Sequence, residues 1–140
     1  MSGNASSVPS AATLAKASYV SLATFRKSGA RVATPVWCAA DGEHFYFFSA
    51  ASAGKVKRLR NGDRAQLAVC DVRGRLLGDW VDARAVVLDD SAEVARALAA
   101  LHRKYGWQMW LADVGSRLTG KYHKRAYIRA RLAPSESRDG

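Results

Sequence analysis

Apolar and polar residues alternate with a period of two over several short stretches of this chain. In ASYVSLATF (17–25) Val20, Leu22 and Thr24 share one face, and β-branched and aromatic residues dominate, so a strand is predicted. KSGA supplies a glycine turn, and RVATPVWCA (31–39) reads as a second strand. The DG dipeptide at 41–42 is a hairpin signal leading into HFYFFSA (44–50), the third. AQLAVCD (65–71) reads as a fourth strand and WVDARAVVL (80–88) as a fifth, with Val81, Ala83, Ala85 and Val87 opposite Asp82 and Arg84. AYIRARL (126–132) is a last strand with Ala126, Ile128, Ala130 and Leu132 facing in. Pro35 falls inside the second strand, where it cannot donate to a ladder. That strand must therefore lie at an edge or be open on one side there.

The period changes in DDSAEVARALAALHRKYG (89–106), where Val94, Leu98, Leu101 and Tyr105 form one helical stripe. Asp90 and Glu93 resemble a capping box, and His102, Arg103 and Lys104 suit the C-terminal end of the helix dipole. Gly106 is a stop signal. WQMWLADVGSRL (107–118) reads as a second helix. Five or six short strands joined by hairpins, with helices inserted late, describe an antiparallel barrel of the α+β class. They do not describe a doubly wound sheet. Neither G-x-G-x-x-G nor G-x-x-x-x-G-K-[ST] occurs, so the two common glycine-loop routes to nucleotides are closed.

The 140 residues suffice for one domain with a substantial core. Residues 1–13 and 133–140 are small and polar and read as flexible tails around a domain at 14–132. No stretch approaches the length of a membrane span and no secretory signal is visible, so a cytoplasmic protein is expected. Cys38 and Cys70 belong to no C-x-x-C pair and read as reduced packing residues. His44, His102 and His123 are scattered and form no metal motif. Charge does change the picture. Twenty-two basic residues against twelve acidic ones give +10, a field that attracts anions such as nucleotide cofactors, nucleic acid or acidic lipid surfaces.

SAGKVKRLRNGDR (52–64) concentrates that charge, with five Lys or Arg in thirteen residues. Ser52 is a suitable N-cap for a helix over 53–60, with Val56 and Leu59 turned to the core. Lys55 in the first turn opposes the helix dipole, a cost an anion at the helix start would reverse. A short solvated helix whose lysines bind nothing specific is the alternative reading.

From VATPVW, SAGKVKRLR and RGRLLGDWV, with KYGW at 104–107, the chain resembles the pyridoxamine 5′-phosphate oxidase-like superfamily over residues 14–132. More closely, it is similar to the small branch of flavin/deazaflavin (F420)-dependent oxidoreductases. The resemblance implies a split β-barrel homodimer with cofactor sites at the subunit interface. It implies that Lys55 and Lys57 bind the cofactor phosphate, with Ser49 and Ser52 nearby. It further implies that Thr34, Pro35, Val36 and Trp37 flank the ring system, and that the second subunit contributes from the Trp80 region or from the helices after it. Coenzyme F420 is the cofactor implied, with FMN as the alternative. The sequence also departs from the family. Gly54 stands where pyridoxamine phosphate oxidases usually carry the Arg of Ser-Arg-Lys, and their substrate-binding Arg and His are not evident in AYIRARLAPSESRDG. Both departures argue against pyridoxamine phosphate oxidase activity itself.

The function this implies is an oxidoreductase that moves a hydride between the cofactor and a small unsaturated or quinone-like acceptor. A non-catalytic flavin or deazaflavin carrier is the second reading. A nucleic-acid binder is the third, and it is disfavoured because the basic residues are spread over nearly every segment without a recognised binding signature. No membrane partner is implied. The four tryptophans divide between a ring-bordering role, for which Trp37 is the best placed, and packing at a core or dimer seam.

Overall fold

A computed structural model describes residues 10–109 and 125–133. Ten elements follow in order: α1 (Ala11–Lys16), β1 (Tyr19–Phe25), β2 (Arg31–Val36), β3 (Ala39–Asp41), β4 (His44–Ala50), α2 (Gly54–Asn61), β5 (Arg64–Cys70), β6 (Val81–Val87), α3 (Ser91–Tyr105) and β7 (Arg125–Leu132). The strands form one antiparallel seven-stranded sheet in the order β2-β1-β5-β6-β7-β4-β3. This is the split-barrel α+β architecture that the alternating pattern and the family resemblance led us to expect.

The second strand differs from its sequence reading in a way that shapes the whole fold. The stretch 31–39 is two strands, β2 and β3, which lie at opposite edges of the sheet yet are joined only by Trp37 and Cys38. Three Cα–Cα steps span at most about 11 Å, so the sheet must curl until its two edges meet. Pro35, opposite Ser21 of β1, sits on the edge strand β2, and its missing N–H costs no ladder bond there. The turns obey their glycines: Gly29 (φ 94°) closes β1–β2 and Gly42 (φ 65°) closes β3–β4.

Inside the curl lie Val20, Leu22, Val36, Phe45, Phe47, Leu67 and Ile128. A second apolar cluster joins α3 to the outer face of β3, β4 and β7 through Tyr46, Ala97, Leu101, Tyr105 and Met109. The alternation of β4 thus sends Phe45 and Phe47 to one cluster and Tyr46 to the other. α3 starts as its sequence indicates: the Asp90 carboxylate accepts the Glu93 N–H at 2.9 Å. Glu93 does not reach back to complete a capping box but pairs with Arg129 of β7. At the other end, α1 begins at Ala11, capped by Ser10, and buries Leu14 completely. The chain is therefore helical from three residues before the position where the sequence composition places the domain boundary. Of the segment 107–118, Trp107 to Met109 are helical; the remainder, with Trp110 and His123, lies outside the described residues. Cys38 and Cys70 are buried and free, as expected of packing residues.

Candidate functional site

α2 seals one end of the curled sheet. Val56 and Leu59 turn inward as their spacing requires, and Leu59 joins the barrel core. Burying each contributes about 2 kcal/mol, and this anchors a helix whose remaining residues are mostly basic. Its start is not capped as the sequence indicates. The N-cap is Ala53, with no side-chain cap bond. Ser52 is exposed one residue earlier, because the Ala53 N–H closes a turn onto the Ala50 carbonyl at 3.0 Å and places Ser52 at its corner. The first N–H groups of α2 consequently keep no side-chain acceptor.

Two cations gather at this end. The half-buried Lys55 ammonium donates to the Ser49 hydroxyl at the end of β4, at 3.3 Å. Arg58 Nε donates to the fully buried Thr24 Oγ1 of β1, at 2.7 Å. Among the described residues neither cation forms a salt bridge. Burial pulls the Lys55 pKa below its ordinary value, and the neighbouring Arg58 charge pulls it further. Lys57 lies on the exposed face of the helix.

Thr34 faces the same side of the β1–β2 ladder as Thr24, because Leu22 opposes Thr34 and Thr24 opposes Val32. Its hydroxyl oxygen is buried and has no hydrogen-bond partner among the described residues. An orphaned hydroxyl on this face and two half-buried cations without a carboxylate fit an anionic, hydrogen-bonding ligand. Of the sequence-derived set, Ser49 and Lys55 are therefore brought into contact, and Thr34 lies on the ladder face that carries Thr24.

The other sequence-derived residues lie apart from this cluster. Pro35 is exposed on the β2 edge, with Gly74 of the 71–80 loop close to its ring. Val36 belongs to the barrel core. Trp37 turns the opposite way from Val36, stacks on Tyr105 at 4.6 Å with 10° between planes, and meets Phe48 edge-on. It also lines a cavity of about 410 Å³ with Lys16, Ser18, Lys104 and Tyr105. Trp80 lies under the Arg31 guanidinium at 4.7 Å, beside the start of β2. Thr24 and Arg58 are missing from the sequence-derived set. The signal for Arg58 was its position four residues after Gly54, which puts both on one face of a helix.

No curated protein shows significant similarity to the chain. Among solved structures, a conserved hypothetical protein from Mycobacterium tuberculosis superposes with a TM-score of 0.60 at 17% identity, covering 94% of this chain and 84% of that one. The heme storage protein HutZ of Vibrio cholerae gives 0.58 at 15%, covering 86% and 83%. An FAD-binding protein from Mesorhizobium loti gives 0.54 at 21%, covering 85% and 82%. At these identities the likeness is one of fold. The family model for pyridoxamine 5′-phosphate oxidase matches residues 10–131. That match spans nearly all of the described fold, and the chain belongs to the pyridoxamine 5′-phosphate oxidase family.

Proposed function

We propose that this protein binds a phosphate-bearing flavin or deazaflavin, coenzyme F420 or alternatively FMN, and works as an oxidoreductase on a small unsaturated or quinone-like acceptor. The observation that carries this reading is the pair of half-buried cations, Lys55 and Arg58, hydrogen-bonded only to neutral hydroxyls among the described residues. Two like charges held together away from full solvent raise the energy of the empty site, and an anion between them lowers it. The FAD-binding protein of Mesorhizobium loti, which shares this fold, supports a flavin-type occupant.

When bound, such a cofactor supplies two-electron hydride chemistry. The chain's own contribution is to hold it. Lys55 neutralises phosphate charge, Ser49 keeps the ammonium directed, and Thr34 offers a buried hydroxyl to the bound molecule. Among the described residues the edge strand β2 has a ladder partner only in β1, which leaves backbone free of ladder bonds to face a ring system. A homodimer with cofactor at the interface fits the exposed apolar side chains Val72, Leu76 and Leu77 of the 71–80 loop, which a second copy would cover. Pyridoxamine phosphate oxidase activity itself is not proposed, since Gly54 replaces the usual Arg of that segment.

The test is titration of purified protein with F420 and with FMN, following cofactor fluorescence, then turnover on a panel of acceptors. Micromolar binding and turnover support the reading. Binding without turnover on any acceptor assigns a carrier instead. Binding of neither cofactor overturns it.

A further inference from the structure

We infer that Arg58 is a phosphate-binding residue of this chain, its guanidinium occupying the space that Gly54 leaves open and acting there together with Lys55. The inference rests on the reading that this site takes a phosphate-bearing cofactor. It names a residue that the basic-segment pattern does not single out.

Three observations carry it. A Cβ built on Gly54 would lie 2.9 Å from an Nη atom of Arg58 and 3.4 Å from its Cζ, so the guanidinium rests directly over the Gly54 backbone. Gly54 is not among the glycines with positive φ, so its conformation does not demand glycine. Gly54 is the first residue of α2, and the close approach of Arg58 is what its missing side chain permits. Second, the guanidinium is oriented. The bond from Nε to the buried Thr24 hydroxyl orients it, and among the described residues the four N–H groups on its two Nη atoms have no partner, so they can make a planar, bidentate contact with an oxyanion. Third, Arg58 and Lys55 are three residues apart and share a helix face, whereas Lys57 is exposed. The charge of Arg58 already acts on Lys55. The half-buried cation pair on this face of α2 is thus Lys55 with Arg58.

Gly54→Ala separates the inference from a structural role for Arg58. The displaced atom is the far end of a flexible side chain, so the substitution shifts the guanidinium without breaking the fold. Fluorescence titrations of wild type, R58Q, R58K, G54A and K55Q with FMN, F420 and phosphate-free riboflavin are compared with thermal melts of each protein. For whichever phosphate-bearing cofactor binds wild type, R58Q and G54A are expected to weaken binding about tenfold or more, the scale of one charge-assisted hydrogen bond. R58K should fall between, riboflavin affinity should be the same in all variants, and G54A should melt no lower than wild type. Wild-type affinity in both R58Q and G54A, with K55Q weakened, overturns the inference and leaves the phosphate site standing. If R58Q fails to fold, G54A alone decides in the same way. Unchanged affinity in K55Q as well, or no binding of a phosphate-bearing cofactor by wild type, overturns the site and the inference together.

Discussion

The hydroxyl of Tyr105, the last residue of α3, accepts a hydrogen bond from the backbone N–H of Cys38 at 2.9 Å and donates to the Ser18 carbonyl at 2.9 Å. Cys38 lies where the chain passes from one edge of the sheet to the other, a point at which ladder bonds cannot satisfy its backbone. Lys104 Nζ completes the seam, donating to the carbonyls of Cys38 at 2.5 Å and Ala17 at 2.6 Å. Tyr105→Phe keeps the ring stacked on Trp37 but strands a buried N–H. Its expected cost is about 1–3 kcal/mol, read as a lower urea midpoint with an unchanged m-value. A variant as stable as wild type would show that the seam is held by packing alone.

The same seam protects Cys38. Burial pushes its thiol up to about 12, offset only in part by the Lys104 charge. At pH 8 the reactive thiolate is then about one part in ten thousand. Burial also raises Cys70, with the Asp71 charge adding to the effect. Neither cysteine should react with a thiol reagent in the native protein on the time scale of unfolded controls, and labelling should follow the unfolding rate. Rapid native labelling of one cysteine would identify a local opening at that strand.

The hairpins were legible because each strand carries its own period-two pattern and its own glycine turn. The division of 31–39 was not, because Trp37 and Cys38 are as apolar as the strands they join; only the edge-to-edge passage of the chain separates β2 from β3. α1 escaped for a related reason. AATLAK offers one large apolar residue, Leu14, and its complete burial is decided by the barrel rather than by local pattern. At the site, the basic segment was legible as an anion-binding candidate, and Lys55 of that segment is hydrogen-bonded to Ser49. The division of labour within it was not, since Lys57 and Arg58 look alike in sequence and are distinguished by the helix face and by the gap at Gly54.

That division is directly testable. Lys55→Ala removes a half-buried ammonium directed by Ser49, and cofactor affinity should fall by about 1.5–3 kcal/mol, or roughly tenfold to a hundredfold. Lys57→Ala removes an exposed charge and should change affinity by a few tenths of a kcal/mol, about the scale of a screened surface charge. The double variant should therefore resemble the Lys55 variant. Equal losses from the two single variants would place the phosphate over the outer face of α2 instead.

The depressed pKa of Lys55 gives stability and cofactor binding opposite slopes with pH. Its folded-state pKa lies below the ordinary 10.5, mainly through burial and then through Arg58. Between the folded and unfolded values the unfolded chain binds more protons, so this group's contribution to stability rises with pH across that interval. Lys104, also lowered mainly by burial, adds to the slope. Phosphate needs the ammonium, so cofactor affinity should fall over the same interval, beginning below the pH at which a solvent-exposed lysine would titrate. Lys55→Arg, which stays charged throughout, should hold its affinity to higher pH, and Lys55→Gln should be weak and flat. Parallel measurement of urea midpoint and cofactor Kd from pH 7 upward checks both slopes. An affinity that stays level through the interval would separate Lys55 from the phosphate.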